Sequence, residues 1–130
     1  MANANFQGSV PAGYVAGGTI AQYRAVVLDS TQGQVVAGSA ITQVAIGASL
    51  QSASSGETIP VQRAGKAKLT ASAAISIGAQ VMITAGGAGK VSTAAGATAY
   101  SIGVAEEAAG ADGDIIEVTL IPTAAAPANA

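Results

Sequence analysis

Apolar positions along this chain come in short runs of three or four, most of them closed by glycine or by an acidic residue beside glycine. Ala25 to Asp29 and Gln80 to Thr84 are such runs, and each leads through a glycine-ended turn into Gln34-Val35-Val36 or Lys90-Val91-Ser92. This is hairpin grammar, because a tight connection needs a residue that takes positive φ without a Cβ clash. Val44 to Leu50 and Tyr100 to Glu106 predict a third strand in each set. Each carries an interior glycine of the kind that marks a bulge or a close backbone approach. Thr58 to Arg63 and Asp114 to Ile121 predict a fourth, entered through an acidic-glycine turn. Between the sets, Lys66-Ala67-Lys68-Leu69-Thr70 alternates charged and small apolar positions, which predicts a strand with one wet face. Helical periodicity is scarce: Ser72 to Ile77 and Thr93 to Thr98 can each make one turn of helix, no more.

The two sets are copies. Ile20 recurs as Ile75, and Val26-Val27-Leu28 as Val81-Met82-Ile83, 55 residues on. Gly33-Gln34-Val35 recurs as Gly89-Lys90-Val91, and Ile46-Gly47 as Ile102-Gly103, at 56. Gly56-Glu57 matches Gly113-Asp114, and Val61 matches Val118, at 57. The offset slips in stretches rich in glycine, serine and alanine, where a loop absorbs one residue. Two copies point to a duplicated domain rather than a solenoid. The expected fold is all-β, a compact pseudo-duplicated β-barrel or sandwich of two tandem β units. The units run over about 20–65 and 72–121 of a single domain at 19–122, with Gly33, Gly47, Gly56, Gly89, Gly103 and Gly113 as its structural turn glycines. Residues 1–18 read as an extended N-terminal arm and residues 123–130 as an Ala/Pro-rich tail, neither able to fold alone.

Composition changes this picture in two ways. With no Trp, one Phe and three Tyr among 130 residues, the apolar half of the chain is mostly Ala, Val and Ile. Such side chains suit thin, closely packed β layers. Only 9% of residues are charged, against roughly 25% in ordinary soluble domains, so much of the surface is expected to be covered by copies of itself or by a partner. The net charge of −2 and the lack of any basic cluster beyond Arg63, Lys66 and Lys68 argue against nucleic-acid binding. No Cys is present and the first residues carry no basic region or apolar run, so no disulfide framework or secretory signal is expected. The uncharged stretch Leu69 to Gly89 is too rich in Ala, Gly, Ser and Thr to enter lipid.

Catalytic chemistry lacks its parts. Without His or Cys, the common nucleophilic triads and the usual zinc sites cannot be built. Gly86-Gly87-Ala88-Gly89-Lys90 looks superficially like a phosphate loop, but Thr84 stands where its first glycine belongs and Val91 where Ser or Thr belongs. Lys90 lacks the flanks of a lipoyl or biotinyl lysine. Glu106, Glu107, Asp112, Asp114 and Glu117 could be imagined around a hard cation, but their spacing is not that of a calcium loop, and solvated turns are the better reading. No catalytic, cofactor or metal residues are expected, and no enzyme.

The recurring unit resembles the phage capsid decoration, or head cement, proteins of the small duplicated β type. The features that carry the likeness are Ile46-Gly47-Ala48 with Gly56-Glu57-Thr58-Ile59-Pro60-Val61, and Ile102-Gly103-Val104 with Gly113-Asp114-Ile115-Ile116-Glu117-Val118. The similarity covers roughly Ala16 to Pro122. It implies a structural virion protein, made in the host cytoplasm, that binds the outer capsid surface and cements neighbouring major capsid protein subunits. Its partners would be that shell protein and itself, as a homotrimer or a dimer, with no nucleic acid and no membrane. The arm is the expected shell or subunit contact, through Ala2, Asn3, Asn5, Phe6, Val10, Pro11 and Tyr14. The competing reading is a virion or envelope surface module for host cells or glycans, which needs Tyr14, Tyr23 and Tyr100 to converge.

Overall fold

The computed structural model describes residues 12–94 and 100–121. Ten strands form two sets of five, and no helix occurs among the described residues. The first set is β1 (Ala12–Ala16), β2 (Ala25–Leu28), β3 (Gln34–Ala37), β4 (Ala45–Ser49) and β5 (Thr58–Gln62). The second is β6 (Gly65–Thr70), β7 (Gln80–Ile83), β8 (Val91–Thr93), β9 (Gly103–Ala105) and β10 (Ile115–Leu120). The first closes into a barrel in the order β1-β3-β2-β4-β5, and the second is a sheet in the order β6-β10-β9-β7-β8. With β6 read as the copy of β1 and β7 to β10 as copies of β2 to β5, the two orders are one cycle.

Duplication extends to single hydrogen bonds. Ile20 and Ala53 exchange backbone bonds, as do Ile75 and Ala109. Gly56 N–H donates to the Ala16 carbonyl, and Gly113 N–H to that of Ala71. The difference lies at closure. β1 and β3 pair in parallel at Val15↔Gln34 and Ala16↔Val35, whereas the second unit keeps only the matching bridge Ala71↔Val91. Where Val15 N–H bonds the Gly33 carbonyl in the first barrel, Thr70 N–H instead reaches the Tyr23 carbonyl and Ala25 N–H reaches Gly89. Residues 23–25 of the first unit thus enter between the ends of β6 and β8 and hold that barrel open.

Each unit is filled by the same seven positions. Ala16, Ile20, Val26, Val35, Ala53, Ile59 and Val61 are buried together in the first. One repeat later, Ala71, Ile75, Val81, Val91, Ala109, Ile116 and Val118 are buried in the second. A barrel of five short strands has room for little beyond Ala, Val and Ile, which accounts for the shortage of aromatics. Strand alternation turns Ala25 and Val27 outward, and with Ala45 and Ala48 they join the core of the second unit. The small side chains allow close approach: a Cβ on Gly38 would stand 2.6 Å from Ile83 Cδ1.

Three sequence expectations shift. Residues 12–16, assigned to the arm, form β1 of the first barrel. The strand between the sets is β6, which opens the second unit, so by strands the copies span 12–62 and 65–120. Neither candidate helical turn is helical where it is described: Ser72 to Ile77 bends around the Ile75 bridge, and Thr93 ends β8.

Candidate functional site

Of the arm residues, Ala2, Asn3, Asn5, Phe6, Val10 and Pro11 lie outside the described residues. Tyr14 is on β1, opposite Ile59 of β5, half-buried against the first core. Its phenol oxygen accepts a long hydrogen bond from Arg63 Nη1 at 3.4 Å. Tyr23 lies between the units with the Lys68 ammonium 5.9 Å from its ring centre, and Tyr100 N–H bonds the Ile41 carbonyl. The three tyrosines occupy three separate environments.

The turn glycines divide by physical cause. Gly33, Gly56, Gly89 and Gly113 take φ of 83°, 88°, 87° and 96°, the left-handed region that an L side chain resists. Gly47 and Gly103 are held by space instead, because a Cβ on either would overlap a carbonyl oxygen of the adjoining strand, Gln62 or Thr119.

All seven carboxylates have internal partners. Asp29 caps Ser30 N–H, Glu57 caps Ser54 N–H, and Asp114 takes the N–H groups of Gly110 and Ala111. Glu107 accepts from Glu117 N–H, and Glu106 accepts from the Thr119 hydroxyl. Lys66 stands 3.4 Å from Glu106 and 3.7 Å from Glu117, and Lys90 stands 2.8 Å from Asp112. Glu106, by hydrogen bond and charge, and Glu117 raise the Lys66 pKa above 10.5. The acidic segment is thus turn capping and ion pairing, and among the described residues no three metal-ligating side chains come together.

Two depressions lie among the described residues. The larger, about 510 Å³, lies beside the Thr84–Lys90 turn, with Arg24, Lys90 and Asp112 on its wall. The Lys90–Asp112 pair spans it, Arg24 Nη1 donates to the Ala88 carbonyl, and the hydroxyls of Ser72 and Thr84 bond each other. The smaller, about 280 Å³, follows β6 past Tyr23, Lys66 and Lys68. Neither sets a nucleophile beside a base. The glycine-rich turn also has a structural occupation: Gly86 N–H bonds the Ser39 carbonyl and Gly89 N–H that of Gly38. It clamps one unit onto the other.

What the sequence did not single out is apolar surface. Leu28 is 60% exposed and Val44 41% exposed. They follow Val27 and precede Ala45, which pair across β2 and β4, so they stand together at one end of the first barrel. Their residue types gave no signal, since each ends an ordinary aliphatic run.

Among the described residues, the duplicated barrel and the capped carboxylates are features that hold the fold together. A family model described as phage cement protein matches residues 31–120. The chain belongs to the phage cement protein family. It is accordingly a structural protein of the phage particle, and the matched region takes in every strand from β3 to β10. None of the curated proteins matches at the sequence level. Among solved structures, the cement-family chain is similar to the N base of the head fiber gp8.5 of bacteriophage phi29. That match has a TM-score of 0.70 and 13% identity, and covers 91% of this chain and 97% of that one. The two share a fold.

Proposed function

We propose that the protein binds the outside of an assembled phage capsid and cements neighbouring major capsid subunits, acting as a homo-oligomer. The cement-family match across residues 31–120 carries this reading. The physics agrees with it. Cementing needs many modest contacts repeated over a lattice, so that avidity replaces one strong site. It also needs a body that keeps its shape under load. Here the outer face of β2 and β4 packs into the core of the second unit, and main-chain bonds from Ala25, Gly38 and Ser39 to the Thr84–Lys90 turn clamp the two units together.

The segment before β1 supplies the shell contact in this proposal, through Ala2, Asn3, Asn5, Phe6, Val10 and Pro11. Because β1 is part of a closed barrel, the informative truncation removes residues 2–11 and spares Ala12–Ala16. The test mixes intact and truncated protein with undecorated capsids, sediments them and measures copies bound per shell subunit. Saturation by the intact chain at a fixed ratio, with loss of binding by a folded truncation, supports the proposal. An intact chain that stays in the supernatant overturns it, and full binding by the truncated chain overturns the role of the segment.

A further inference from the structure

The contact between the two units is asymmetric, and both of its surfaces recur elsewhere on the chain with no partner among the described residues. The first unit offers a seat, the outer face of β2 and β4 with Ala25, Val27 and Ala48, all buried in the shared core. The second unit offers the end of its barrel, where Ile83 meets Gly38 and Tyr100 N–H meets the Ile41 carbonyl. One repeat earlier, Ile83 corresponds to Leu28 and Tyr100 to Val44. Ile83 is 1% exposed, whereas Leu28 is 60% and Val44 41% exposed. One repeat later, the seat corresponds to Gln80, Met82 and Val104. Gln80 is exposed, and Met82 and Val104 are only partly covered. These three adjoin through the pairing of Gln80 with Val104 across β7 and β9. Ile77, 70% exposed, stands three residues before Gln80.

Among the described residues, a single chain therefore has a barrel end with no seat and a seat with no barrel end. We propose that copies of this chain associate head to tail, the Leu28–Val44 end of one copy packing on the Met82–Val104 face of the next and repeating the contact that joins the two units within a chain. Such a contact uses two different patches, so it closes into a ring of two or more copies or runs on as a filament, according to the rotation it imposes.

The repeat of the contact is approximate, in a way that keeps copies separable. Ala94 stands where the first unit has Gly38, so the seat is shallower. The first barrel is closed by the bond from Val15 N–H to Gly33, whereas the second is opened by residues 23–25. The contact between copies thus rests on side chains, while the one within the chain also uses main-chain bonds. Gln80 and Ser92 in place of Ala25 and Val36 make the free seat more polar than the occupied one.

The test needs no capsid, so its outcome is independent of the capsid binding proposed above. Leu28→Glu destroys only the head and Met82→Glu only the seat, and both side chains are at least partly exposed, so the fold is retained. Mass is measured by light scattering over a concentration series, with circular dichroism to confirm folding. The expected result is an oligomeric native chain and two monomeric variants whose equimolar mixture forms a one-to-one dimer. That dimer is specific to a head-to-tail contact, because each variant keeps the patch the other has lost. A monomeric native chain, a folded variant that keeps the native mass, or a mixture that stays monomeric each overturns the proposal.

Discussion

Alanine at Gly47 or Gly103 tests whether the two barrels are set by the same steric rule. A Cβ built on Gly47 overlaps the Gln62 carbonyl oxygen and stands 2.9 Å from both its carbonyl carbon and Val61 Cγ1. On Gly103 it overlaps the Thr119 carbonyl oxygen and stands 2.9 Å from the Thr119 carbonyl carbon and 3.1 Å from Ile121 N. The obstructing atoms are mainly main chain, held by the pairings Ala48↔Gln62 and Gly103↔Leu120. A rotamer change cannot relieve the clash; a strand has to shift. Overpacking costs about 1–3 kcal/mol, and backbone obstruction puts both variants at the upper end. Lower chain entropy in the unfolded state returns only about 0.4–1 kcal/mol. Each substitution should therefore cost about 2 kcal/mol net, a large part of a total near 5–15 kcal/mol. Urea unfolding with linear extrapolation reads this directly. Gly18→Ala is the control, since its Cβ meets nothing within 4 Å and its φ is not positive. Losses under about 0.5 kcal/mol at Gly47 and Gly103 would refute the close-approach argument, as would a loss of the same size at Gly18.

Two further outcomes follow from single contacts. Ser49, fully buried, donates to the Ala21 carbonyl at 2.7 Å and accepts from Arg24 N–H at 2.9 Å. Its counterpart in the second unit is Ala105. Ser49→Ala should cost about 1–3 kcal/mol in the same unfolding assay, because it strands a main-chain donor and acceptor. Lys66 has a raised folded pKa, so its contribution is complete below its unfolded value of 10.5 and is lost as pH rises through the higher folded value. The melting temperature of the native chain should exceed that of Lys66→Met by a small constant margin at neutral pH, and the margin should close above 10.5. A margin that persists through strongly alkaline pH would contradict this assignment.

The duplication was legible because its markers are stringent. A turn that needs positive φ keeps glycine at Gly33 and Gly89, and a strand crossing with no room for Cβ keeps it at Gly47 and Gly103. β1 was not legible. Ala12-Gly13-Tyr14-Val15-Ala16 is short and low in β-branched residues, and its copy Ala67 to Ala71 matches it mainly through alanine. Its strand state is imposed from outside, by β5 on one side and β3 on the other. The opening of the second barrel was equally hidden, since it depends on where residues 23–25 arrive in space. Tyr23 illustrates this: it takes φ of 61° where its counterpart Gly78 takes 87°, and nothing in its residue type announces that. The exposure of Leu28 stands out only against its buried counterpart Ile83.

The role proposed for this chain is to hold neighbouring shell subunits together from outside. It is tested most directly by imaging undecorated phage capsids incubated with the purified protein, using cryo-electron microscopy and reconstruction of the shell. Cementing predicts added density at lattice-fixed positions on the outer surface, each spanning at least two major capsid subunits and large enough for the duplicated barrel. Density resting on one subunit alone, or a shell indistinguishable from the undecorated one, would contradict it.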